Sequence, residues 1–172
     1  NIKNNKSSYE INFNNDESNL QFDINKEYYN FFDYAPVALY IEDFSKVKKF
    51  IEEKANEANL CLESYLSQNQ QIIENTHALV VIKDVNTTAV RLYKANSKQD
   101  LLQNLEKVFT SHSTKGFSKL VFDLLMGKKE TAVETVNKTL DGDIINVRIK
   151  YNVEAGSEST LDNIIVSIAK IY

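Results

Sequence analysis

The 172-residue sequence predicts an α+β domain, an antiparallel sheet with helices on one face and an N-terminal helical or hairpin segment capping the other. Three observations carry that prediction. Residues 131–140 and 144–153 flank Asp141-Gly142, the strongest short hairpin signal in the chain. Apolar residues recur at helical spacing, with Val47, Phe50, Ile51, Ala55 and Ala58 in one stripe and Phe117, Leu120, Val121, Leu124 and Leu125 in another. The stretch ALVVIKDVNTTAVRLY, residues 78–93, runs from strand-like residues into a helix across a polar Asp84-Val85-Asn86.

The elements follow in order. Residues 1–25 form an N-terminal extension, Asn- and Lys-rich at first. Tyr9, Ile11 and Phe13, then Leu20, Phe22 and Ile24, alternate with polar residues around the turn-prone NNDESN. That pattern suits a hairpin, or equally a linker that contains aromatics. The main domain spans 26–172. A short helix carrying Tyr28, Phe31 and Phe32 ends before Pro36, because proline biases its predecessor out of the helical region. Val37–Glu42 reads as a strand. A helical insertion follows at about 45–77, its stripe continued by Leu62, Tyr65, Leu66, Ile72 and Ile73. A buried strand is expected at 79–83, then a helix opened by Asn86. Ser97-Lys98-Gln99-Asp100 reads as a capping box, and Gly127 is placed to end the long helix. In the second strand of the hairpin Ile145, Val147, Ile149, Tyr151 and Val153 face one way, with Asn146, Arg148, Lys150 and Asn152 opposite. The last strand, 161–172, is apolar on both faces, so the back of the sheet needs a cover: the segment at 26–33 or a second chain.

Composition excludes several classes. A net charge of -4 with interspersed lysines and acids argues against nucleic acid or an anionic membrane as partner. The single cysteine, Cys61, allows no intrachain disulfide and no Cys-based metal site, which fits a reducing, cytoplasmic setting. No apolar run approaches the roughly 20 residues of a membrane span. The sequence opens without methionine and stops inside a strand-like run, IIVSIAKIY, as a piece of a longer protein would.

The polar Asp84-Val85-Asn86 has a physical explanation. Asn86 ends a strand where its side-chain oxygen accepts the unpaired N–H groups of the following helix. Asp84 adds negative charge near that helix start, where the dipole favours it. Both are structural joint residues on this reading.

The stretch DVNTTAVRLYKANSKQDLL, the hairpin ETVNKTLDGDIINVRIKYNV and the closing IIVSIAKIY together resemble a PAS domain, the sensory-box module of bacterial signalling proteins. The likeness is to the variant with an inserted helical segment between the first two strands, and it covers about residues 26–172. The resemblance implies a PAS-like antiparallel sheet and a sensory or regulatory input role. It also implies a C-terminal output domain such as a histidine kinase or diguanylate cyclase, with relay through the last strand. Two functional classes follow: a module that takes a small ligand in the cavity between sheet and helices, or a ligand-free module for dimerisation and relay through the last strand and Phe31/Phe32. A homodimer is expected. The residues expected to line the cavity are Tyr40, Tyr93, Phe109, Phe122, Asn137 and Arg148. Arg148 suits a ligand carboxylate or phosphate, but its strand's alternation favours the solvent face beside Lys150.

Other residues carry little. Haem needs an axial ligand, and neither His77 nor His112 has supporting spacing. Flavin photochemistry needs the Asn-Cys-Arg motif of that subset of the family, whereas Cys61 lies in LCLES and reads as a small core residue. Neither haem nor flavin is expected. Glu42-Asp43 point to opposite faces and read as solvated loop carboxylates, though Glu42 has the phase to face the cavity. No G-x-S-x-G, Walker A or HExxH motif is present, and no catalysis is expected.

Overall fold

The computed structural model describes residue 27 and residues 29–172, and the chain divides into two units between Phe32 and Asp33. In the first unit residues 29–32 are helical. The hairpin expected at 9–24, and most of the capping segment, lie outside the described residues.

The second unit, Asp33–Tyr172, holds a five-stranded antiparallel sheet. Its strands are β1 (Ala38–Asp43), β2 (Val81–Val85), β3 (Glu130–Lys138), β4 (Ile144–Val153) and β5 (Ile164–Lys170), in the order β2-β1-β5-β4-β3. Between β1 and β2 run α1 (Ser45–Glu57), α2 (Leu62–Gln68), α3 (Gln71–Glu74) and a 3-10 turn at His77–Leu79. Between β2 and β3 come α4 (Thr87–Leu92), α5 (Lys98–Gln103), a 3-10 turn at Leu105–Val108 and α6 (Ser111–Leu125). The helices pack on one face of the sheet, and the core fills the layer between.

Local chemistry sets these boundaries. Thr110 caps α6 by accepting from Ser113 N–H, while Ser113 Oγ accepts from Thr110 N–H in return. At the other end Gly127, at φ +81°, donates to the Leu124 carbonyl and stops the helix. Gly116 brings α6 close to β3, since a Cβ there would stand 3.3 Å from Val133 Cγ1. The buried Asp123 carboxylate then ties the helix end to the sheet. It accepts from Lys119 (2.8 Å), Lys128 (2.6 Å) and Thr131 Oγ1 (2.6 Å). Burial alone would raise its pKa, but these donors hold it well below the usual carboxylate range. The β3–β4 hairpin forms at Asp141-Gly142, with Gly142 at φ +91°.

Several expectations need correction. The strand expected from Leu79 begins at Val81, because Leu79 still belongs to the 3-10 turn. It lies at the edge of the sheet, and Val81 is exposed rather than buried. A bulge interrupts its pairing: Ile41 faces Asp84 while Glu42 faces Ile82, leaving Lys83 as the extra residue. That insertion turns both Ile82 and Val85 inward and sends Lys83 to the surface, where its Nζ reaches the Asp162 carbonyl at 2.6 Å. Ala58 falls just past α1 and is exposed. Cys61 is an exposed surface residue at the start of α2, its Sγ 3.1 Å from Ser64 Oγ, and not a core residue. β5 begins at Ile164, and Leu161 precedes it in a buried loop at φ +55°. Ile164, Val166 and Ile168 are buried, whereas Ile165 on the opposite face keeps 37% of its surface exposed.

Candidate functional site

A cavity of about 100 Å³ lies between the inner face of the sheet and the helices. The two-residue period of β1 points Tyr40 and Glu42 into it. β4 contributes Tyr151, β3 Asn137 and β5 Val166 and Ile168. Tyr93 enters from the end of α4, and Ser113, Phe117 and Leu120 from α6. His77 and Phe109, both exposed, stand at its outer end.

One side is a fixed polar chain. Ser113 Oγ lies 2.8 Å from Asn137 Oδ1 and 2.8 Å from the Val136 carbonyl, so its hydrogen is shared between them. Asn137 Nδ2 therefore donates to Tyr93 Oη at 2.7 Å. Tyr93 is an acceptor in this chain, which leaves its own hydrogen uncommitted. Tyr151 is braced from behind by Phe44, whose ring centroid stands 5.5 Å away at 55°. Tyr40 Oη is fully buried and has no hydrogen-bond partner among the described residues.

Glu42 dominates the electrostatics. Its residue is only 9% exposed, and no hydrogen bond or ion pair meets its carboxyl among the described residues. Burial pushes its pKa up from 4.5 to about 8. Burial also raises the phenols of Tyr40, Tyr93 and Tyr151, so all three stay protonated at neutral pH. No lysine, arginine or second carboxylate lines the cavity among the described residues. None of the described residues form a group of three or more His, Cys, Asp or Glu that could hold a metal ion.

Four of the six residues expected to line the cavity do so: Tyr40, Tyr93, Phe109 and Asn137. Phe122 does not, because its phase on α6 turns it into an open groove with Gln70, Ile73 and Glu74. Arg148 does not either, since the alternation of β4 places it exposed on the far face. Glu42 overturns its expectation as a solvated loop carboxylate. Tyr151 and Ser113 were missed, although Tyr151 shares the face of Ile145 and Val147. His77 is a satisfied surface residue, its Nδ1 2.8 Å from the Glu74 carbonyl, and His112 is exposed.

The joint after β2 is built around Asn86, which is fully buried. Its Oδ1 accepts from Ala89 N–H (2.9 Å) and Leu39 N–H (3.0 Å), while Nδ2 donates to the Val37 carbonyl (2.9 Å). One side chain thus caps α4 and fastens it to β1. Asp33 adds a second carboxylate at the helix start, where it accepts from Thr87 N–H (3.2 Å) and Thr87 Oγ1 (2.8 Å). Asp84 accepts from Val85 N–H, and Lys98 Nζ bridges Asp33 and Asp84 at 2.9 and 3.3 Å.

No family model and no curated protein matches the sequence. Solved structures do match its fold. One is the PAS domain, in complex with ethanol, of a LuxR-family transcriptional regulator from Burkholderia thailandensis, at 12% identity and TM-score 0.52, covering 84% of this chain and 96% of that one. Another is a domain of a sensory box sensor histidine kinase/response regulator from Geobacter sulfurreducens, at 13% identity and TM-score 0.51, covering 87% and 95%. A third is the PAS domain of an HTR-like protein from Haloarcula marismortui, at 10% identity and TM-score 0.54, covering 90% and 97%. The chain has the PAS fold. None of its described helices is long and apolar enough to cross a membrane.

Proposed function

We propose that this chain is a sensory input domain of a signal-transduction protein, one that takes a small molecule in the cavity and relays its presence to a C-terminal output domain. The observation that carries the reading is Glu42, a carboxyl buried without a partner in a cavity whose other polar groups are phenols and an amide. Folding a chain around such a group is costly, and a strongly perturbed carboxyl in a cavity marks a candidate binding site. The PAS fold supports the class, since the similar domains come from a transcriptional regulator and a sensor kinase. The route for relay is β5, whose Val166 and Ile168 line the cavity while its backbone pairs with both β1 and β4. The domain works in the cytoplasm and performs no catalysis on this reading.

Native mass spectrometry tests it. A reproducible mass excess over the denatured chain, lost when Val166→Phe fills the cavity, supports the reading. Absence of any excess, with no shift in melting across compounds of this size, removes it. A second reading, self-association of two copies, is favoured by Phe31, which leaves 79% of its surface exposed. Mass by light scattering across a dilution series addresses that.

A further inference from the structure

The polar groups of the cavity define the charge of what fits there. No lysine or arginine lines the cavity among the described residues to offset the charge of a carboxylate or phosphate, and the one group there able to carry a full negative charge is Glu42. The groups that face Glu42 from the neighbouring elements are Tyr40 on its own strand, Tyr93 at the end of α4, Tyr151 on β4 and, at the outer end, His77. All but His77 are phenols. Phenol oxygens accept hydrogen bonds, and phenol rings present a negative face that attracts a cation. Tyr40 Oη is buried without a partner, and Glu42 lines the same cavity with no hydrogen bond to its carboxyl among the described residues, so both are uncommitted there. Asn137, by contrast, spends its carbonyl on Ser113 and one of its two N–H groups on Tyr93.

Resting on the small-ligand reading above, we propose that the cavity is a receptor site for a small organic ammonium ion, held by the Glu42 carboxylate and the phenols of Tyr40, Tyr93 and Tyr151. The volume of about 100 Å³ admits roughly three non-hydrogen atoms, on the scale of about 30 Å³ per water. An ammonium of that size supplies three donors to the carboxylate and phenol oxygens, with its short alkyl part against Phe117 and Leu120. Its positive charge favours the ionised carboxylate, so binding expels the proton that Glu42 holds in the free protein. The proton passes to the buffer, and the site carries one positive and one negative charge when full.

Isothermal titration with three titrants of similar size tests this: ethylammonium, ethanol and acetate, each at pH 6, 7 and 8.5 and in two buffers of different ionisation enthalpy. Ethylammonium is expected to bind with release of nearly one proton at pH 7, and its affinity to rise about tenfold from pH 6 to 7 and level off above 8. Acetate should not bind. Glu42→Gln, checked for folding by circular dichroism, should lose ethylammonium binding at least tenfold and its pH dependence with it. Ethanol binding as tightly as ethylammonium, or Glu42→Gln leaving ethylammonium binding unchanged, overturns the ammonium proposal and leaves the small-ligand reading standing. Heat from none of the three, with no shift in melting, overturns both.

Discussion

Replacing Glu42 by glutamine should make the free protein more stable. The two side chains have nearly the same size, so the change chiefly removes the titrating proton. Glu42 holds its proton in the folded chain up to about pH 8, against an ordinary value of 4.5 in the unfolded chain. Between those limits the folded state binds more protons than the unfolded state, so stability falls as pH rises through that window. At about 1.4 kcal/mol for each pH step, the penalty is on the order of 3 kcal/mol at pH 7 and on the order of 5 above pH 8. Below pH 4.5 both states are protonated and the penalty vanishes. For a chain of this length the pH 7 difference corresponds to a melting temperature roughly 6–12 °C higher in the variant. Urea or thermal unfolding of both proteins at pH 4, 7 and 8.5 reads it directly: the curves should converge at pH 4 and diverge as pH rises. A variant no more stable than the parent at pH 7 would mean that the carboxylate is ionised and paired in the fold, which would refute the reasoning.

Three further changes probe the scaffold. Asn86→Ala removes the cap of α4 and leaves the Leu39 N–H and Val37 carbonyl without their partner, so it should cost about 3 kcal/mol; a urea midpoint displaced by less than a third of that would show the joint to be replaceable. Asp123→Asn should lose about 2 kcal/mol at pH 7. Because the carboxyl of Asp123 is held well below its ordinary 3.8, the stability it adds is full above that value and starts to fade only below it, so the gap between variant and parent should stay constant from pH 7 to pH 5 and begin to narrow in melts below pH 3.8. Gly142→Ala meets no neighbour within 4 Å but puts a Cβ at φ +91°, and the strain should cost about 1 kcal/mol, seen in the melting curve without loss of ligand binding.

The elements with a strong local period were legible. β4 and α6 could be placed from alternation and stripe alone, and Asn86 from the chemistry of a helix start. Glu42 was half legible: ALYIED puts it on the face of Ala38 and Tyr40, but a carboxylate at a strand end ordinarily faces water. Only closure by Tyr151 and α6, far along the chain, removes that water. The edge position of β2 depends on its bulge, and no pattern in VIKDV announces that Lys83 is the odd residue. Asp33 and Lys98 meet although they stand 65 positions apart in the sequence, a separation that no local window spans. Phe122 was placed by its residue type, although its helical phase, one step from Val121, already turned it away.

The strand order has a consequence for how this chain reaches its fold. β5 is the only element that joins the pair β2-β1 to the pair β4-β3 among the described strands. Its partner β1 lies about 130 residues earlier, so the central seam forms at high loop-closure cost. During synthesis the helices and the β3–β4 hairpin can form as they emerge, but β1 must wait, one edge bare, until Ile164–Lys170 leaves the ribosome. Folding should be slow for a domain of this size, and the waiting edge of β1 is where a chaperone would be needed.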